Sequence, residues 1–225
     1  MNVSIEQYQQ VLEKAFSKHY YEGSDVWSND VEMRCFPALI QGVLKLDSDS
    51  TVLDIGCGAG ADIEYFAGIF KMAMGIDIYY HNNWNHIHLA YPNARFFNHS
   101  FDSFETDIQF DIILDNGCFH HQHPDQRIPY LQKISSLLNQ QGCYALSTFK
   151  NETKSEFLDG NGLLHKYFKN EELHNIIADA GLIVFYEFDI YRKRHNDYYR
   201  LSFIKANDKF HQHDRGIYHN RKHHP

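Results

Sequence analysis

The sequence predicts a single α/β domain built on a doubly wound, mostly parallel sheet of seven strands. From residue 51 onward, short apolar runs alternate with segments of helical periodicity, which is the pattern of strand–helix–strand units. Three glycines stand at one strand-to-helix junction, where such sheets bind ligands. Only a short connection separates the last two strands, so we expect them to pair antiparallel. The chain of 225 residues is long enough for one such domain and short for two.

The individual elements follow from apolar patterning and from turn formers between them. The predicted strands are residues 51–55, 72–77, 94–100, 110–115, 143–149, 182–190 and 198–205. The predicted helices that connect them are residues 61–70, 81–92, 125–139 and 170–181. The last of these helices has a natural stop at Gly181, because glycine readily takes the conformation that ends a helix.

Two further helices are predicted ahead of the sheet. Apolar side chains recur at helical spacing over residues 3–20, and a second helix is expected over residues 31–46, started or interrupted by Pro37. The loop between these helices carries Tyr21 and Trp27. These aromatic side chains could line a small-molecule site, and sealing the edge of the sheet is an equally good interpretation.

The predicted organisation has three parts. Residues 1–50 form an N-terminal helical cap, residues 51–205 a ligand-binding core, and residues 206–225 a His-rich tail. The formal net charge is −8, but residues 205–225 hold five Lys/Arg and two Asp/Glu, so the other 204 residues carry a net −11. An acidic body lacks the basic surface that binds a phosphate backbone, so nucleic acid is disfavoured as a partner.

The composition also indicates the compartment. No stretch approaches the roughly 18 uninterrupted apolar residues of a membrane-spanning helix. The N-terminal segment carries acids and glutamines where a signal peptide would have a basic start and an apolar run. The four cysteines are scattered, without a C-x-x-C pair, as expected for free thiols in a reducing compartment. We therefore expect a cytoplasmic protein without a membrane span, and the oligomeric state stays open.

The strongest local motif is VLDIGCGAGAD at residues 52–62. Gly56 and Gly58 leave a strand for a helix, where bare backbone and a helix N-terminus can face a ligand. Asp77 closes the second strand, at the place where doubly wound folds present an acid to ribose hydroxyls. Asp54 would repel a pyrophosphate but attract a cationic amino-acid group. S-adenosylmethionine (SAM) fits these requirements better than NAD.

This motif, followed by GIDI at residues 75–78, resembles the SAM-binding core of class I methyltransferases of the small-molecule type. The segment FDIILDNGCFHH at residues 110–121 is similar to the fourth-strand segment of the same superfamily. The resemblance covers about residues 50–150 and implies a Rossmann-like sheet with an antiparallel last strand. It also implies methyl transfer from SAM as the reaction.

The resemblance implies a set of cofactor-binding residues. Asp54, through water, would hold the methionine amino group, Asp77 the ribose hydroxyls, and Ile78 would pack on adenine. Ser100 stands where the family often has an acid facing the adenine amino group, so Phe101 or Asp102 would supply that contact. The complete set is Asp54, Gly56, Cys57, Gly58, Asp77, Ile78, Ser100, Phe101 and Asp115.

The acceptor is expected after the fourth strand, at the carboxyl edge of the sheet. His120 and His121 are candidate catalytic residues, because histidine can take a proton near neutral pH or orient an acceptor. Packing and helix capping explain these histidines at least as well. Phe119 joins Tyr21 and Trp27 as a candidate substrate contact.

Several alternatives stay open at this stage. A protein or RNA methyltransferase, a NAD-dependent oxidoreductase and a catalytically silent ligand-binding protein are the rivals. Cys118 is interpreted as a small residue in a crowded turn instead of a nucleophile. No metal site is predicted, because no histidine spacing matches a closed zinc site.

Overall fold

The structure of the protein is a computed structural model that describes residues 3–23, 27, 30–151, 153–193 and 195–207. Its strands are β1 (Thr51–Ile55), β2 (Met72–Asp77), β3 (Ala94–Asn98), β4 (Phe110–Asn116), β5 (Leu138–Lys150), β6 (Glu156–Leu158), β7 (Leu164–Lys166), β8 (Leu182–Arg192) and β9 (Asp197–Ala206). Its α-helices are α1 (Ile5–Tyr21), α2 (Val31–Arg34), α3 (Phe36–Val43), α4 (Ala61–Ala67), α5 (Asn83–Ala90), α6 (Arg127–Leu137) and α7 (Asn170–Asp179). Two 3₁₀ turns, Phe119–His121 and Pro124–Gln126, lead into α6.

The predicted sheet is confirmed. Seven strands pair in the order β3-β2-β1-β4-β5-β9-β8. All neighbours from β3 to β5 run parallel, whereas β9 is antiparallel to both β5 and β8. The strand order reverses between β1 and β4, which is the topological switch point where open α/β sheets bind their ligands.

Helices cover both faces of the sheet, as doubly wound sheets require. Side chains alternate between faces along each strand, so Val52 and Leu53 of β1 enter different cores. On one face the core includes α6 and α7, through Ile134 and Ile177. On the other face, the core draws side chains from α3, α4 and α5, namely Ile40, Phe66 and Trp84.

The N-terminal helices differ from the prediction in one detail. The single helix expected over residues 31–46 is two helices, α2 and α3, because Pro37 stands in the first turn of the second. Proline lacks a backbone N–H and is favoured in the first turn of a helix. Helix α1 begins with a capping box in which Ser4 and Gln7 satisfy each other's backbone N–H groups.

Helix α1 is fixed to the carboxyl edge of the sheet by one buried side chain. The Tyr8 hydroxyl donates a hydrogen bond to the carbonyl oxygen of His121 (2.7 Å) and accepts one from the N–H of Leu164 (2.9 Å). Burial raises the pKa of Tyr8 to about 12, so this hydroxyl keeps its proton. Because Leu164 begins β7, the same side chain joins α1 to the β6–β7 hairpin, an element that the sequence did not predict.

The predicted tail over residues 206–225 lies outside the described residues, apart from Ala206 and Asn207. No helix among the residues that the structure describes combines the length and apolar character needed to cross a bilayer.

Candidate active site

A cavity of about 580 Å³ follows the carboxyl edge of the sheet beneath α1. This volume lies within the usual range for small-molecule sites. The nucleoside end, which we define by Gly56, Asp77, Ile78, Ser100 and Phe101, follows β1, β2 and β3. The acceptor chamber, which we define by Trp27, Asp30, His120, Phe149 and Arg192, lies toward β5, β8 and β9. The cavity is therefore continuous from the glycine bend to a chamber lined by rings and charges.

The glycine bend requires glycine at its first position. Gly56 has a φ of 74°, and a side-chain carbon there would overlap the sulfur of Cys118. Gly58 has a φ of 51°, and an added carbon would lie 3.0 Å from the Tyr20 hydroxyl. The carbonyl oxygen of Gly58 accepts a hydrogen bond from the Trp84 ring N–H (2.7 Å). The bend is thus bare backbone that borders the cavity at Gly56 and is covered by the Tyr20 hydroxyl at Gly58.

Asp77 joins the bend to the second strand. Its carboxylate accepts hydrogen bonds from the N–H groups of Gly58 (2.8 Å) and Tyr79 (2.8 Å). Burial raises the pKa of Asp77 to about 6, although these hydrogen bonds oppose the shift. A carboxylate oxygen can accept more than one hydrogen bond, so Asp77 still has capacity for the hydroxyls of a ribose.

Asp54 lies in a buried polar cluster behind the bend. One of its oxygens, Oδ1, is buried without a hydrogen-bond partner among the described residues. Nearby Asp62 accepts hydrogen bonds from Arg34 (3.0 Å) and from Asn116 (3.1 Å). Burial, and secondarily the charge of Asp62, raise the pKa of Asp54 well above its usual range. An acid with an unused buried oxygen and excess negative charge around it is suited to a cationic partner.

These observations fit SAM. The glycine bend would hold the amino-acid part and Asp77 the ribose, and Asp54, which is buried behind the cavity lining, would reach the ammonium group through water. Ile78, Ser100 and Phe101 line the space beyond Asp77, where the adenine is expected.

Two predicted cofactor contacts need correction. The Asp115 carboxylate is fully buried and accepts hydrogen bonds from Tyr130 (2.6 Å), Tyr144 (3.1 Å) and the backbone N–H of Cys118 (2.7 Å). It therefore stands behind the cavity wall and holds the turn that follows β4. The Cys57 side chain is also buried and packs against Gly75 of β2, so only its backbone belongs to the bend.

The predicted histidines do line the acceptor chamber or its border. His120 is buried, and its Nδ1 has no hydrogen-bond partner among the described residues. The centroid of its ring lies 4.0 Å from the centroid of the Phe149 ring. Burial lowers the pKa of His120 well below its usual range, so the ring is neutral. His121 is held by a 2.6 Å hydrogen bond between Nδ1 and the carbonyl oxygen of Leu164. Since a carbonyl oxygen only accepts hydrogen bonds, the proton of the neutral His121 ring is on Nδ1. Burial lowers the pKa of His121 to about 3.

His123 is bound differently. Its Nε2 contacts the carbonyl oxygen of Val3 (3.3 Å) and its Nδ1 accepts a hydrogen bond from the N–H of Asp125 (3.3 Å). Both nitrogens are thus engaged by backbone, which makes His123 a capping residue.

Two predicted substrate contacts are wrong. Tyr21 is 87% exposed at the end of α1 and does not line the cavity, because the helix turns the preceding residue, Tyr20, inward instead. Phe119 is fully buried in the core against Phe168 and Tyr130. Trp27 does line the chamber, and its ring N–H donates to the Tyr20 hydroxyl (3.3 Å).

The site and fold together define the class: this is the architecture of a class I SAM-dependent methyltransferase. A family model described as a methyltransferase domain matches residues 29–204, and the chain belongs to that family. SAM is accordingly its expected cofactor.

Solved structures support the same assignment. The Burkholderia thailandensis 1,6-didemethyltoxoflavin-N1-methyltransferase, with bound 1,6-didemethyltoxoflavin and S-adenosylhomocysteine, is 26% identical over 92% of both chains, with a TM-score of 0.87. Two further structures share the fold at lower identity. A SAM-dependent methyltransferase from Clostridium acetobutylicum is 13% identical over 85% of this chain and 99% of that one, with a TM-score of 0.64. An O-methyltransferase from a trans-AT PKS multienzyme of Brevibacillus brevis is 19% identical over 88% of this chain and 78% of that one, with a TM-score of 0.63. No curated protein matches the sequence.

Proposed function

We propose that this protein transfers the methyl group of SAM to a small molecule bound in the acceptor chamber. The observation that carries the proposal is the continuous cavity, which joins the glycine bend at Gly56 to His120 and Phe149 beneath α1. The similarity to the 1,6-didemethyltoxoflavin-N1-methyltransferase supports a small-molecule acceptor. The acidic surface and the helical roof over the cavity favour such an acceptor over a protein or an RNA.

Bound SAM supplies a methyl group on a positively charged sulfur. The lone pair of the acceptor atom forms the new bond to carbon while the electron pair of the broken bond stays on sulfur. A nitrogen, oxygen or sulfur acceptor that carries hydrogen also releases a proton. The protein lowers the barrier mainly by proximity and alignment, which requires that both ends of the cavity hold their ligands rigidly.

Within this proposal, His120 orients the acceptor. Its neutral ring can accept a hydrogen bond at an unprotonated nitrogen, and burial leaves that nitrogen without competition from bulk water. His121, with its proton fixed on Nδ1 by Leu164, keeps the neighbouring ring in place at a centroid distance of 4.2 Å. The strongly lowered pKa makes His120 a weak base, so positioning is its main contribution.

We also propose a cytoplasmic location. All four cysteines are free thiols in the structure, as expected in a reducing compartment.

Two measurements test the proposed function. S-adenosylhomocysteine should raise the melting temperature, whereas NAD should leave it unchanged, because only a ligand that binds the folded state stabilises it. In the second, protein and methyl-labelled SAM are incubated with a cell extract that is then separated by size. We expect label in the small-molecule fraction. Label accumulating in protein or RNA would contradict the proposal.

A further inference from the structure

Arg192 is a buried cation in the wall of the acceptor chamber. Its exposed fraction is 5%, and its guanidinium carbon lies 4.4 Å from the centroid of the Phe149 ring. Arg192 forms a bidentate ion pair with Asp197: its Nε donates to Oδ1 and its Nη2 to Oδ2, both at 2.8 Å. This pair neutralises the charge and fixes the plane of the guanidinium, and it leaves Nη1 unused by Asp197.

Asp30 stands beside that nitrogen. Its Oδ2 lies 3.9 Å from Nη1 of Arg192, beyond hydrogen-bond distance, and also 3.9 Å from Nε2 of His195. Its other oxygen, Oδ1, caps α2 by accepting a hydrogen bond from the N–H of Glu32 (3.1 Å). The cap holds Asp30 in place. The chamber wall therefore presents a fixed donor, Nη1, next to a fixed acceptor, Oδ2.

The other walls of the acceptor chamber restrict the shape of a ligand that could contact Arg192 and Asp30. Phe149, Tyr167 and Trp27 line the chamber with aromatic rings, which favour a flat ligand. Asp197 already balances Arg192, and Asp30 adds a carboxylate whose Oδ2 also faces Nε2 of His195; the other cation of this lining, Lys154, lies over the Tyr167 ring at 5.3 Å. Directly beside Oδ2 of Asp30, a hydrogen-bond donor on the ligand is favoured over a carboxylate or phosphate.

We propose that Arg192 and Asp30 are the acceptor-recognition pair, and that the acceptor is a planar ring presenting a carbonyl oxygen beside a ring N–H, as in a lactam or cyclic imide. The carbonyl accepts from Nη1 of Arg192 while the N–H donates to Oδ2 of Asp30. The proposal rests on the proposed function, since it concerns the acceptor end of the same cavity.

The test is calorimetric binding of three related rings to the protein, with and without S-adenosylhomocysteine. Quinazoline-2,4-dione carries the carbonyl and N–H edge, 1,3-dimethylquinazoline-2,4-dione has no N–H, and quinazoline has neither group. We expect the dione to bind about tenfold more tightly than the dimethyl ring and about a hundredfold more tightly than quinazoline, since each lost hydrogen bond to a charged group weakens binding by about tenfold or more.

Asp30→Asn is the decisive variant, because asparagine is as good a helix cap as aspartate and the fold should be preserved. It should weaken dione binding about tenfold while the affinity for S-adenosylhomocysteine stays unchanged. Glu32→Gln, which removes a carboxylate from the same helix outside the cavity lining, is the matched control and should alter neither affinity.

The outcomes separate this inference from the proposed function. Equal binding of the three rings, or an undiminished dione preference in Asp30→Asn, would overturn the inference even if S-adenosylhomocysteine binds. If S-adenosylhomocysteine fails to bind while the dione preference and its loss in Asp30→Asn are found, the recognition pair stands and the methyl-transfer proposal falls.

Discussion

Replacing Asp54 by asparagine should stabilise the ligand-free protein and weaken its binding of S-adenosylhomocysteine. In the wild type this carboxylate is 1% exposed, its Oδ1 has no partner among the described residues, and the like charge of Asp62 further opposes its ionisation. An unsatisfied buried polar atom costs about 1–3 kcal/mol, and more when the group is charged. We therefore expect Asp54 to serve ligand binding at a cost in the stability of the ligand-free protein.

The pH dependence gives the size of the effect. The folded-state pKa of Asp54 is raised above its unfolded value, so the proton taken up on folding stabilises the protein fully below pH 4. That contribution is lost as the pH rises toward the folded-state pKa. The stability advantage of Asp54→Asn should accordingly grow by up to about 1.4 kcal/mol per pH unit above pH 4, until Asp54 ionises in the folded protein.

The assay is urea unfolding of both proteins at pH 4.5, 6 and 8, followed by tryptophan fluorescence, together with calorimetric titration of S-adenosylhomocysteine at pH 8. Asp49→Asn, at an exposed aspartate, is the matched control and should change the free energy of unfolding by less than about 0.5 kcal/mol. An Asp54→Asn variant that is less stable than wild type at pH 8, or that binds S-adenosylhomocysteine with full affinity, would contradict this role of Asp54.

Three further predictions concern the same cavity. Gly56→Ala should lower the free energy of unfolding by about 1–3 kcal/mol and abolish S-adenosylhomocysteine binding, because φ is positive and the new carbon meets the Cys118 sulfur. Gly160→Ala is the control, since no atom lies within 4 Å of an added carbon there, and it should change neither quantity. Chemical denaturation measures the stability of both variants, and calorimetry measures their ligand affinity. His120→Gln should reduce kcat about tenfold or more with KM for SAM unchanged, whereas the control His123→Gln should leave kcat within about twofold of wild type. Steady-state assays that show equal losses of kcat in the two variants would argue against a positioning role for His120. Asp77, with a pKa of about 6, should make S-adenosylhomocysteine affinity fall as the pH drops below 6, by up to about tenfold per unit, and a titration series from pH 5 to 8 that shows no such fall would contradict its ribose contact.

Much of the architecture could be predicted from local pattern. The alternation of apolar runs and helical segments, and the short link between β8 and β9, predicted the strand sequence and its antiparallel ending. The β6–β7 hairpin was missed because its two strands have three residues each and expose Phe157 and Leu158, so no apolar period marks them.

The site was harder to predict where the direction of a side chain decides its role. Tyr20 and Tyr21 are adjacent, and helix phase alone turns one into the cavity and the other to solvent. Asp115 lies one residue before the end of β4, and strand alternation directs its carboxylate to the core with Tyr130 and Tyr144 instead of to the cavity.

The acceptor-recognition pair had no local signal at all. Asp30 caps a short helix near the N-terminus, and Arg192 ends β8 far along the chain. Only the folding of α2 against the β8–β9 end of the sheet brings the two side chains to 3.9 Å. Separations of this kind in sequence carry no period or motif that a single sequence could reveal.

The most direct test of the central claim is a crystal structure of the protein with S-adenosylhomocysteine. We predict that its amino group will contact Asp54 directly or through one water, that its ribose will bind Asp77, and that its sulfur will face the acceptor chamber at His120. A ligand bound away from the glycine bend, or one whose amino group and ribose leave both carboxylates untouched, would contradict the claim.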